Sequence, residues 1–252
     1  MTRFEMGDLM SVVAAVEAPR PKVAVGEILG STFGVIGQRA AALGMLASLW
    51  VFLPQLLVSF LPDEMSRGAV IANVPALIFD GAAALLTIRQ LTGAAISAKD
   101  AQRAGLHNFG KLWTVGLLSG LAIVLGTVLL IVPGVILIAG WMPATAVLMA
   151  EGKTGRDCLK RAWELTRGSR WRLAGLFGVV LLGSLIVLAV FIGIVIGVAT
   201  ANEKASEVVS DVLGAIFVSM LSIVSVVGAS AVYVSLTKTE TGVAGDVTEI
   251  FS

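Results

Sequence analysis

The sequence predicts an all-α, polytopic membrane protein with six transmembrane helices, and three observations lead there. No charged residue occurs from Leu112 to Ala150, a run that one helix would stretch to roughly 58 Å, about twice the ~30 Å hydrocarbon core of a bilayer. It therefore has to fold back on itself, and Val132-Pro133-Gly134 is its strong turn signal. The composition agrees: 57% of the residues are hydrophobic and 14% charged, against about 25% charged in soluble domains. Third, the basic residues gather on one side of the apolar runs.

Taken in order, the apolar runs long enough to cross are Ala40–Leu61, Ala69–Ile88, Leu112–Val132, Val135–Ala150, Leu173–Thr200 and Val212–Leu236. The fourth reaches only roughly 24 Å, which sinks its Pro-Gly turn below the surface, while the fifth is long enough to tilt or emerge. Pro54, Pro75 and Pro143 fall inside spans and are expected to bend them. Residues 1–23 and 237–252 flank this single membrane domain, 24–236, as disordered N-terminal and C-terminal cytoplasmic tails. Glu5, Asp8, Glu17 and Arg20 interrupt the N-terminal stretch, so it does not read as a signal peptide.

Six spans put both termini on one side. Sixteen of the eighteen Lys and Arg residues then lie on that side, with only Arg67 and Lys204 opposite. The positive-inside rule makes that side the cytoplasm, with both termini cytoplasmic. Trp113 and Trp171 fall where aromatic anchors meet the inner interface, and Tyr233 lies near the inner end of the last span.

The segments before spans one, three and five share a pattern. Each has mixed polarity, enters its span through a basic residue (Arg39, Lys111, Arg170) and places a glycine five residues later (Gly44, Gly116, Gly175). The third is the clearest amphipathic helix, with Cys158, Leu159, Ala162, Trp163 and Thr166 on one face and Arg156, Lys160, Arg161, Glu164 and Arg167 turned away. Such a helix is expected in the interface, its apolar side in the acyl boundary and its cations among headgroups. Three copies of an interfacial helix plus a transmembrane hairpin would account for the pattern. The positive-inside rule alone would also produce it.

Leu130-Ile-Val-Pro-Gly134, Pro143-Ala-Thr-Ala-Val-Leu-Met-Ala-Glu151-Gly and Cys158-Leu-Lys-Arg-Ala-Trp163-Glu-Leu-Thr-Arg-Gly168 carry a resemblance. Together they resemble the membrane domain fused to some bacterial glycerophosphodiester phosphodiesterases and the YciC-like uncharacterised inner-membrane proteins. The likeness covers about Gly93 to Leu182. The resemblance implies a six-span protein of the bacterial inner membrane without an assigned activity; the hydrolase of the fused enzymes resides in a separate soluble barrel and does not carry over.

Few residues can carry chemistry. One cysteine, Cys158, and one histidine, His107, argue against a disulfide framework, a Cys/His metal site or a Ser/His relay, so no enzyme activity and no cofactor are expected. Asp80 lies about eleven residues into span two, with Asn73 two helical turns earlier on much the same side. A carboxylate at that depth is either a proton or cation site or a protonated acid bonded inside the bundle. The second candidate is the basic loop, whose Lys160, Arg161, Arg167, Arg170 and Arg172 could hold anionic headgroups, although topology alone also demands such a loop. Glycines at a spacing of four (Gly30/Gly34, Gly116/Gly120, Gly193/Gly197) are candidates for close helix packing.

The expected function is a non-enzymatic membrane protein that binds or organises phospholipid, or scaffolds a partner protein, at its cytoplasmic face. No nucleic-acid partner is expected. The alternative is a small secondary transporter or channel using Asp80. Orientation is directly testable: alkaline phosphatase fused after Glu64 or Glu207 is expected to be active, and fused after Lys153 or Lys238 inactive. Activity at Lys153 would reverse the topology.

Overall fold

The computed structural model describes residues 25–59, 73–94, 96–129, 131–200 and 203–250, and these are helical with no strand among them. Among the described residues, five stretches are long and apolar enough to cross a membrane: Val25–Val58, Phe109–Leu129, Gly134–Glu151, Arg170–Ala199 and Ala205–Thr241. The predicted second span is not among these five. Residues 69–72 lie outside the described residues, and the helix formed by the rest of that run has 16 residues.

The chain enters through α1 (Val25–Ala47), one π-helical turn (Ser48–Phe52) and α2 (Leu53–Ser59). Pro54 has no N–H for the carbonyl four residues back, and the backbone widens into the π turn just ahead of it. The sequence predicts an interfacial segment ending at Arg39, but α1 runs straight through this position. Arg39 leaves helical geometry (φ −118°, ψ 19°) and its Nε donates to Gln90 Oε1 at 2.7 Å, so the predicted boundary is a kink held by a polar clasp.

Helix α3 (Ala76–Leu91) is the centre of the bundle, packed against α1, α4 (Ala98–His107), α5 (Phe109–Leu129), α7 (Ala144–Glu151) and α10 (Glu203–Ile250). Its run Gly81-Ala82-Ala83-Ala84 is buried, and small side chains let the neighbouring backbones close in. A Cβ on Gly105 of α4 would stand 2.7 Å from the Ile78 carbonyl oxygen and 3.2 Å from the Ala82 nitrogen. Pro75 caps the start of α3 and does not kink a span, its carbonyl accepting from Ile78 N at 3.0 Å. Asn73 is separated from α3 by the Val74–Pro75 turn.

The uncharged run does fold back. Helix α5 ends at Leu129 and α6 (Ile131–Trp141) starts almost at once, with Pro133 in its first turn, where a missing N–H costs little. A Cβ on Gly126 would meet Leu137, and one on Gly134 would collide with Thr127, so the two limbs of the hairpin are in close contact. Pro143 breaks the return limb as expected, with α7 beginning at Ala144 and Val147 N donating to the Pro143 carbonyl at 2.9 Å. Gly152 ends α7 in the left-handed region (φ 69°), which only glycine adopts freely.

Helix α8 (Gly155–Leu165) comes next, then α9 (Arg170–Ala199), of whose residues only Leu173 and Leu176 are buried. Helix α10 remains helical to Ile250, so residues 237–250, expected to be disordered, continue the last helix. The glycine pairs are also corrected. Added Cβ atoms at Gly30, Gly34, Gly120, Gly193 and Gly197 meet nothing within 4 Å, and the close approaches belong to Gly81, Gly105, Gly126, Gly134 and Gly140.

Gly105→Val should therefore cost about 1–3 kcal/mol or block folding, because backbone cannot move aside as a side chain can. Gly120→Ala should be neutral or slightly stabilising. Thermal unfolding in detergent checks this, and equal melting of both variants with the native protein would contradict the packing.

Candidate functional site

The basic loop forms a structured platform around α8. Thr154 starts the helix from extended backbone, Asp157 favours its N-terminal end, and Gly168 (φ 91°) turns the chain into α9. The expected amphipathic face is real, but its partner differs from the expectation. Cys158, Leu159, Ala162, Leu165 and Thr166 are buried against α5, α6, α7 and α10, so this face packs on protein and does not lie in the acyl boundary. The Cys158 thiol donates to the Ala144 carbonyl at 3.1 Å and Thr166 Oγ1 to the Gly140 carbonyl at 3.1 Å. The Trp163 ring fills the space a side chain at position 140 would need, which makes Gly140 the seat for that indole.

A polar junction fixes the platform. Glu151, at the end of α7, accepts from Lys153 (2.9 Å to Oε2), Arg161 Nε (3.3 Å to each oxygen) and the Tyr233 hydroxyl (3.2 Å). Arg161 then reaches Glu240 on α10 with a two-point contact, Nη1 to Oε1 at 3.2 Å and Nη2 to Oε2 at 2.7 Å. Hydrogen bonding to Glu240 raises the Arg161 pKa further, with burial opposing it and Glu151 adding to the rise. Tyr233 is buried, so it serves this junction and not the membrane interface. Sequence reasoning missed Glu240 because it sits in the expected tail. Extending the helical repeat from Tyr233 by seven residues would have placed both on one face.

The five predicted cations separate into different roles. Arg161 is taken up by the two carboxylates. Arg170 lies over the Trp163 ring, 3.5 Å from its centroid, and donates to the Trp163 carbonyl at 3.0 Å. Lys160, Arg167 and Arg172 are exposed. Trp171 (74% exposed) and Trp113 (38%) stand on the outer surface, as expected of aromatic anchors.

Lys160 borders a groove that the sequence did not reveal. Between α5, α6 and α8 lies a cavity of about 390 Å³ walled by Leu118, Ala122, Leu137, Trp141, Leu159 and Trp163, with Arg156 and Lys160 as its charged lining. Its floor depends on the hairpin and its rim on α8, elements that only the fold brings together.

Asp80 lines a different space, a chamber of about 300 Å³ between α3, α7 and α10 with Thr145, Ser222, Ser225 and Ser230 around it. Asn73 does not line it. The two candidate regions are thus separate, with no residue lining both.

Burial first, then the nearby Glu151 carboxylate, pushes the Cys158 thiol up to about 11, which leaves about one part in ten thousand as thiolate at pH 7. Maleimide labelling of the folded protein at pH 7 should be slow and should become rapid in denaturant. Rapid labelling of the native protein would mean that α8 is not docked. No protein-family model, curated protein or solved structure matches the chain.

Proposed function

We propose that the protein is a non-enzymatic, six-span protein of the bacterial inner membrane that holds anionic phospholipid of the cytoplasmic leaflet and organises the membrane, or scaffolds a partner protein, at that face. The resemblance to the membrane domain associated with glycerophosphodiester phosphodiesterases is compatible with this reading. The observation that carries it is the groove of Trp141, Trp163 and aliphatic side chains with Arg156 and Lys160 as its charged lining. An apolar trough with cations along one border suits an amphiphile with an acyl tail and a phosphate, and about 390 Å³ lies within the ~300–1,000 Å³ range of ligand sites.

Charge assignment narrows the expected set. Arg161 and Arg170 act within the protein, holding carboxylates and an indole, and Arg156 joins Lys160 as the pair placed for a headgroup. Arg167 and Arg172 remain in this reading as part of the general basic surface. Each cation near an anionic surface contributes about 1 kcal/mol, or about fivefold in affinity.

The test is native mass spectrometry of protein released from mild detergent with phosphatidylglycerol present. Arg156→Gln with Lys160→Gln should lower lipid occupancy by more than tenfold, about two charges' worth, while Lys99→Gln with Arg103→Gln on α4 should leave it unchanged. Equal retention by both double variants would overturn the assignment.

A further inference from the structure

The chamber at Asp80 is independent of the lipid groove. Asp80 is partly buried on the central helix, and no hydrogen bond or ion pair among the described residues engages its carboxylate. Ser230 Oγ is committed to its own helix, donating to the Val226 carbonyl at 2.8 Å. The side-chain hydroxyls of Thr145, Ser222 and Ser225 have no hydrogen-bond partner among the described residues. No basic side chain lines the space. The titratable groups described on the packed elements (Glu27 and Arg39 on α1, Arg89 on α3, Lys99, Asp100, Arg103 and His107 on α4, Lys111 on α5, Glu151 on α7, and Glu207, Asp211, Tyr233, Lys238 and Glu240 on α10) all lie outside its lining. Thr145 precedes Glu151 by six residues, which places the chamber roughly 9 Å inward from the polar junction.

A carboxylate at this position without a cationic partner is costly unless something neutralises it. Apart from the Met142 thioether, the donor atoms of the side chains lining the chamber are oxygens, the set that hard cations take. About 300 Å³ is room for about ten waters at ~30 Å³ each, so an ion here keeps part of its hydration shell. We propose that this chamber binds a small alkali cation, with Asp80 as the charged ligand and Thr145, Ser222 and Ser225 as neutral oxygen ligands, and that the proton competes for the same carboxylate. An adjoining apolar cavity of about 250 Å³ between α1, α9 and α10 shares Met142, Leu221 and Ser225 with the chamber. The shared wall gives the site a neighbour through which its occupancy can affect helix packing.

Dicyclohexylcarbodiimide, which reacts with protonated carboxyl groups in apolar surroundings, provides the test on the intact protein in detergent. Modification of Asp80, read by peptide mass, should occur at acidic pH. Sodium at ten times its Kd should slow it about tenfold, while choline chloride at equal ionic strength should not. Asp80→Asn removes the labelled peptide. Thr145→Val with Ser222→Ala keeps the carboxyl and should keep labelling but lose the sodium protection, so the result does not depend on the fold of the Asp80 variant. Labelling that sodium, lithium and potassium all leave unchanged would make Asp80 a structural acid and overturn the proposal. Absence of labelling at every pH would also overturn it, because a carboxyl that exchanges a proton for a cation must be reachable in its protonated form. Neither result bears on lipid retention by Arg156 and Lys160.

Discussion

The Glu151 carboxylate is the joint on which the basic end of the molecule depends. It closes α7 where the uncharged run ends, and it receives Lys153, Arg161 and Tyr233 from three parts of the chain. Arg161 carries the connection on to Glu240. Because the side chains of Arg161 and Glu240 are 24% and 38% exposed, water screens this pair and its net contribution is about 0–1 kcal/mol. Burial of Leu159 and Leu165 in the same helix contributes about 1.5–3 kcal/mol each. Apolar packing therefore stabilises the platform, and the ion network fixes how α8 is turned. With that rotation set, the indole of Trp163 sits on Gly140, Arg170 covers its face, and Arg156 and Lys160 are left along the outer border.

Two polar features at different depths follow opposite electrostatic logics. The junction at Glu151 is charge-matched and has its hydrogen bonds inside the protein. The chamber at Asp80 holds a carboxylate and hydroxyls with no cation among its lining residues. The helices that form the two overlap, since α7 and α10 contribute to both. The central helix α3, with its Gly and Ala surface, is the rigid element against which both are built.

Much of the architecture was legible because a bilayer punishes exposed backbone and misplaced charge. The fold-back of the uncharged run, the break at Pro143 and the amphipathic pattern of α8 all came from local rules and are present in the fold. What was not legible required contacts between distant segments. The amphipathic face of α8 has the same sequence signature whether it meets lipid or protein, and only the seat at Gly140 decides between them. Pro75 starts α3 where a kink within a span was expected, since proline at a helix start and proline within a helix read alike in sequence. Of the glycine pairs only Gly116 has a neighbour for an added Cβ, Leu77 Cδ2 at 3.4 Å, while Gly105 and Gly140 seat a backbone and an indole, because spacing on one helix carries no information about its neighbour. Glu240 was hidden by a tail assigned from composition.

We propose that the groove between α5, α6 and α8 holds a phospholipid acyl chain with its phosphate at Arg156 and Lys160. Photocrosslinking with a phosphatidylglycerol that carries a diazirine on its acyl chain tests this most directly, with adducts mapped by peptide mass. The account predicts adducts concentrated on Leu118, Leu137 and Trp141. Adducts spread evenly over the outward faces of α5 and α9, with none in the groove, would contradict it.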